Sequence, residues 1–183
     1  GIGAAGGSII YNPRDVEGFQ SLGVGETTTD TITYRIRDNI NAVSNTSTVT
    51  VTVQGTNDGP VAVDDIAVMG AVFKLREISI GAEDGVLIND IDPDTSDNGL
   101  LEVVPGSAKS FYGADVTFAA DGSYTFNPAV SPILAGLEKH ESLVDTVTYT
   151  VRDPQGETSI GTYSITVLGD IPKISWNLDD PAI

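Results

Sequence analysis

No cysteine occurs in the 183 residues, and that absence removes disulfides, thiolate-ligated zinc and thiol catalysis together. Histidine is almost as scarce: His140 is the only one. A multi-histidine metal site is therefore excluded. A Ser-His-Asp triad would rest on a residue flanked by Lys139 and Glu141 in a connector, where a solvated loop histidine is expected instead. Bases are few, nine Lys and Arg against 26 Asp and Glu, leaving a formal net charge of −17. Repulsion on that scale argues against nucleic acid and anionic membrane as partners, because both need basic patches. It favours solvent exposure, high salt or bound divalent cations. No apolar run approaches the roughly 18 residues a membrane helix needs, so no membrane insertion is expected. Gly1 to Gly7 carry no basic leader, and no signal peptide is expected there. With one tryptophan, Trp176, an aromatic sugar platform is thin, resting on Tyr112, Tyr163 and Trp176. Acid pairs cluster in a loop rather than facing each other across a cleft, so glycoside hydrolysis is not expected. No enzymatic activity is.

What the chain has in abundance is period-two alternation. Ile32, Tyr34 and Ile36 would share one face of a strand, with Thr31, Thr33 and Arg35 on the other; Val147, Tyr149 and Val151 alternate with Thr146, Thr148 and Thr150 in the same way. Val116 with Phe118, and Tyr124 with Phe126, mark shorter strands. Turns are expected at Gly85, Gly99, Gly113, Asp121-Gly122 and Asp153-Pro154-Gln155-Gly156. No 3.6-residue apolar period is sustained, and one helical turn is expected near Pro132 to Leu137, with a counterpart near Phe19 to Leu22. The fold class is all-β, antiparallel β-sandwich repeats of Ig-like type in tandem.

The tandem character rests on an internal repeat. Gly7-Ser8 recurs as Gly122-Ser123, Asn12-Pro13 as Asn127-Pro128, Leu22 as Leu137, Glu26 as Glu141, Asp30-Thr31 as Asp145-Thr146, Thr33-Tyr34 as Thr148-Tyr149 and Arg37-Asp38 as Arg152-Asp153, always 115 residues apart. A one-residue slip then aligns Val49, Val51 and Val53 with Tyr163, Ile165 and Val167. In this register, 59–170 is a complete repeat and 1–58 is the C-terminal half of another, able to supply three or four strands. Residues 171–183 form a tail or the start of a next unit. The missing strands of the half-repeat are expected from a longer parent array, a neighbouring chain or the tail, with truncation of an array preferred.

Two oxygen-rich stretches are the candidate chemistry. At the junction, Gly55-Thr56-Asn57-Asp58-Gly59-Pro60-Val61-Ala62-Val63-Asp64-Asp65, the potential ligands are Asn57, Asp58, Asp64 and Asp65, with no base among them. The stretch from Glu83 to Asp97 holds six acids and no base. Carboxylates this close repel by about 1 kcal/mol per pair at 4 Å even in water, and a divalent cation removes that cost. Calcium accepts six to eight oxygens in loose geometry. Asp90, Asp92 and Asp94, with Asn89 beside them, would lie along one side of an extended segment and suit one ion. The loop is not an EF-hand: counting from Asp90, the glycine position is Thr95 and the terminal glutamate position is Leu101.

The ordered blocks from the junction through Val86-Leu87-Ile88-Asn89-Asp90-Ile91-Asp92-Pro93-Asp94, Gly122-Ser123-Tyr124-Thr125-Phe126-Asn127-Pro128 and Asp145-Thr146-Val147-Thr148-Tyr149-Thr150-Val151-Arg152-Asp153 resemble the cadherin-like (VCBS-type) repeats of large bacterial RTX and surface adhesins. The resemblance spans about Gly7 to Gly169. It implies end-to-end sandwiches, an extracellular location on or outside a bacterial cell, and Ca2+ at the junctions. By the cadherin analogy, Asn57 and Asp58 would be linker ligands, Asp90 and Asp92 the paired acids of the following domain, and Asp38 or Asp153 would sit at domain ends. The implied role is a calcium-stiffened extender in cell adhesion or biofilm; the alternative is a carbohydrate-binding module of a secreted protein. Expected partners are neighbouring repeats of the same chain, a host-cell or matrix glycan or protein, and a second copy paired through an open strand edge.

Overall fold

The computed structural model describes residues 9–14, 16 and 18–169. The tail 171–183, with Trp176, and the Gly7-Ser8 pair lie outside the described residues. By contact the chain divides into two compact units, Gly1–Asp58 with Pro93–Asn98, and Gly59–Asp92 with Gly99–Ile183.

The first unit is built on one hairpin. β1 (Thr27–Tyr34) pairs antiparallel with β2 (Ser47–Gln54), Thr27 opposite Gln54 and Tyr34 opposite Ser47. Both strands are dominated by β-branched residues, which suit a pleated surface. Beyond them, Arg37 bridges Val43, and the connecting turn is held by Asp38, whose Oδ1 accepts from Ile40 N at 2.9 Å and Ala42 N at 2.8 Å. Two strands, rather than three or four, are formed among the described residues of this half-repeat.

The second unit is a sandwich of two four-stranded sheets. One has the order β3 (Asp65–Phe73), β10 (Thr158–Leu168), β9 (Ser142–Arg152) and β5 (Glu102–Val103); the other runs β4 (Ile78–Ile80), β8 (Tyr124–Asn127), β7 (Asp115–Phe118) and β6 (Gly106–Lys109). Pairing is antiparallel except for β3, which runs parallel to β10 with a register break after Ile66, near the left-handed Gly70. The expected helical turn is α1 (Pro132–Ala135), capped by the Ser131 side chain, which accepts from Leu134 N.

The alternation read in the sequence fills the space between these sheets. Val116, Phe118, Tyr124 and Phe126 from one sheet meet Val147, Tyr149, Val151, Tyr163, Ile165 and Val167 from the other. Phe126 is wholly buried, and truncating such a side chain to alanine costs about 3–5 kcal/mol. Asp145, also wholly buried, accepts from Ser110 Oγ, Tyr112 N at 2.9 Å and Thr146 N at 2.9 Å. A carboxylate so bonded fixes the turn at Phe111–Gly113 against β9.

The internal repeat is a repeat of bonds as well as letters. Asn12 Oδ1 accepts from Arg14 N (3.2 Å), as Asn127 Oδ1 does from Ala129 N (3.1 Å). Glu26 Oε2 accepts from Gly23 N (2.9 Å), as Glu141 Oε2 does from Glu138 N (2.6 Å). Gly55 N donates to Glu26 O, and Gly169 N to Glu141 O. A Cβ at Gly55 would be driven into the carbonyls of Leu22 and Gly23, and one at Gly169 into that of Glu138. The two copies differ in what lies over their apolar face. Tyr34, Ile36 and Val49 are 39%, 65% and 38% exposed, whereas their counterparts Tyr149, Val151 and Tyr163 are 3%, 0% and 2% exposed.

Candidate metal centre

Pro60 is buried, and just beyond it Val61 and Ile91 exchange two backbone bonds, Val61 N to Ile91 O at 2.8 Å and Ile91 N to Val61 O at 3.3 Å. Four of the candidate ligands cluster next to that bridge and are engaged with protein groups. Asp90 Oδ1 accepts from Val63 N at 2.7 Å, and Asn89 Nδ2 donates to Val63 O at 3.2 Å. Asp64 Oδ1 accepts from Thr162 N at 2.8 Å, tying the start of β3 to β10. Buried Asp65 accepts from the Tyr149 hydroxyl at 2.7 Å, and the same hydroxyl reaches Val63 O at 3.1 Å. Burial pushes the Asp90 carboxyl up to about 6, against the pull of its bond from Val63 N, and burial likewise raises Asp65. Burial raises the Tyr149 phenol as well, helped by the neighbouring carboxylates. These groups anchor the segment 61–65 to the sandwich.

After Ile91 the chain turns, and the backbone bond from Asp97 N to Asp94 O at 3.0 Å closes the turn behind Pro93. An extended segment would have lined up Asp90, Asp92 and Asp94. The turn gathers Asp92, Asp94 and Asp97 instead, one carboxylate oxygen from each lying within 4.8 Å of the others. All three are buried, at 3%, 0% and 4% exposure. Asp94 Oδ2 accepts from Asp58 N at 2.9 Å and Asp97 Oδ1 from Ser96 Oγ at 3.2 Å. Buried Asp97 Oδ2 accepts no hydrogen bond among the described residues. Neither ion pair among the described residues, Lys109–Asp115 or Arg152–Glu102, involves this loop.

Burying three carboxylates side by side is costly unless a positive charge joins them. An all-oxygen set with no thiolate or imidazole selects a hard cation such as Ca2+ over zinc or copper. The residues present therefore fit calcium. Asp92 and Asp94 are candidates already named from the sequence, and both fall in this cluster. Asp97 stood in the acidic stretch, and the signal for it was the Pro93 turn, which brings residue i+3 back beside Asp94.

The remaining candidates sit elsewhere. Asn57 is half-buried in the linker, and the Asp58 side chain is exposed while its amide serves Asp94. Asp153 is buried at the β9–β10 turn, where its Oδ1 accepts from Gly156 N at 2.5 Å and Glu157 N at 2.8 Å, the role its counterpart Asp38 plays in the first copy. Of the aromatic residues considered for sugar contact, Tyr163 is in the core bonded to the Tyr124 hydroxyl, and Tyr112 is half-buried beside exposed Phe111. His140 is exposed in the connector with a left-handed backbone.

The profile of the family described as the bacterial cadherin-like domain matches residues 57–169, from the linker to the end of β10. The chain belongs to that family. No curated protein matches it significantly. Bacterial cadherin-like domains are generally structural, typically extracellular or surface-located, and commonly bind calcium, which accords with the all-β sandwich and the oxygen-rich loop. Among the described residues, no helix is long and apolar enough to cross a membrane.

Proposed function

We propose that this bacterial cadherin-like chain is a calcium-stiffened extender repeat of a secreted or cell-surface adhesin, serving cell adhesion or biofilm. The observation that carries the calcium reading is the buried Asp92–Asp94–Asp97 group, with an Asp97 oxygen that accepts no hydrogen bond among the described residues. Asp92, Asp94 and Asp97 would hold the ion. The ion would supply only charge neutralisation and cross-linking, so carboxylates that repel one another without calcium are tied together with it. The extender reading draws its support from the duplicated hairpin and its duplicated capping bonds, since tandem copies of a structural domain set length rather than chemistry. Neighbouring repeats are then the principal partners, and a glycan or protein of a host cell or matrix is the partner of the adhesin as a whole. Pairing of two copies along the β1–β2 edges is a further partner proposal, tested by concentration-dependent sedimentation.

Calorimetric titration of the full chain with calcium tests the site. The expected result is saturable binding that disappears in Asp94→Asn and Asp97→Asn; absence of heat in the unsubstituted chain would sink it. Small-angle scattering with and without chelator tests the stiffening, and an unchanged maximum dimension counts against it.

A further inference from the structure

The acidic turn does not stand alone: residues 93–98 seat on the first copy of the repeat. Thr95 N donates to Ser21 O at 3.2 Å, and Asp58 N donates to Asp94 Oδ2 at 2.9 Å. Gly23, itself buried, adjoins the same loop. A Cβ on Gly23 would stand 2.6 Å from Ser96 Oγ, 3.5 Å from Asp94 Cβ and 3.6 Å from Asp94 Cγ. Ser96 Oγ is the group that donates to Asp97 Oδ1. The missing side chain at position 23 thus leaves room for the serine that orients one carboxylate and for the stem of another.

The internal repeat supplies the comparison. The counterpart of Gly23 is Glu138, in a turn with the same capping bond, its amide donating to Glu141 as Gly23 N donates to Glu26. No left-handed backbone reserves position 23 for glycine. The turn itself tolerates a glutamate, so its local geometry does not demand a glycine; the loop seated above it does.

We infer that Gly23 is the positioning residue of the acidic loop: by carrying no side chain it lets residues 93–98 seat on the first repeat copy, and the cation affinity of Asp94 and Asp97 depends on that seat. This rests on the calcium reading for affinity, while the seating itself is independent of any ion. A graded effect follows. Alanine displaces only Ser96 Oγ, which can rotate away at the loss of its bond to Asp97. Glutamine or glutamate extends into Asp94 and lifts the turn.

The test uses the full chain as Gly23→Ala, Gly23→Gln and Gly23→Glu, with calcium affinity from calorimetry and amide hydrogen exchange measured in chelator. The expected result is a fall in affinity of two- to fivefold for alanine and at least tenfold for both longer residues. Exchange at Thr95 and Asp58 should accelerate in the same order without calcium, while amides of β9 and β10 keep their protection. Affinity and exchange that stay within twofold of the unsubstituted chain would overturn the inference. So would loss in Gly23→Glu alone, because that would make the effect one of charge. If the unsubstituted chain takes up no calcium, the proposed function fails, and the Thr95 and Asp58 exchange rates still decide the role of Gly23.

Discussion

Replacing Asp97 with asparagine should change the sign of its effect on stability according to whether calcium is present. Asp97 shares a 4.8 Å cluster with Asp92 and Asp94. At that separation each like-charge pair costs about 1 kcal/mol with water-like screening and about 3 kcal/mol at an effective dielectric of about 20. Asparagine keeps the shape and can still accept the bond from Ser96 Oγ through its own oxygen. Its amide then stands where the Asp97 oxygen that accepts no bond stood, presenting a donor toward two carboxylates. Without calcium, Asp97→Asn should therefore be more stable by about 1–3 kcal/mol, raising the midpoint of a domain this size by roughly 3–10 °C. With calcium at about 1,000 times its dissociation constant, the unsubstituted chain gains about 4.1 kcal/mol by mass action and the variant forgoes most of it. The order of the two midpoints reverses. Differential scanning calorimetry in chelator and in millimolar calcium reads this directly, following the transition that moves with calcium. A variant less stable in both conditions would mean that Asp97 is a structural acceptor, and the electrostatic reasoning would be wrong.

Other consequences are open to simple measurements. A Cβ on Gly161 would collide with the Tyr149 ring, whose hydroxyl holds Asp65, so Gly161→Ala should cost about 2–4 kcal/mol in urea unfolding; a neutral result would show that the ring has room to move. Asp65 is raised by burial, so its contribution to stability is fully present below about pH 4 and is lost as pH rises through its folded-state value. Asp65→Asn cannot ionise and should gain on the unsubstituted chain across that rise, measured by urea midpoints in chelator; a constant difference would refute it. Asp153→Ala removes two bonds to backbone amides at the β9–β10 turn and should destabilise by about 1–3 kcal/mol, with calcium affinity from titration unchanged within twofold.

The sandwich strands and their inward faces were legible in the sequence because period-two alternation is a direct image of burial on one side of a sheet. Val147, Tyr149 and Val151 announced themselves in this way, and all are in the core. The 115-residue offset was legible because several duplicated letters carry a duplicated bond, as with Glu26 and Glu141. Three features were not. The parallel partnership of β3 with β10 joins residues about a hundred positions apart, and no local pattern encodes it. Asp90 is spaced like a ligand beside Asp92, yet Val63 N claims it, a choice made by tertiary packing. Asp97 enters the cluster through a turn bond, which breaks the alternation that an extended reading assumes.

Gly55 and Gly169 occupy the same place in their copies, each pressed against a carbonyl of its own capping turn. Neither can acquire even a methyl group without displacing that turn. The polypeptide therefore leaves each hairpin along a path dictated by its own backbone, whatever sequence comes next. In a longer array built from such units, a glycine at this phase would act as punctuation. It would mark where one copy finishes, and its spacing would count copies after the intervening side chains had diverged beyond recognition.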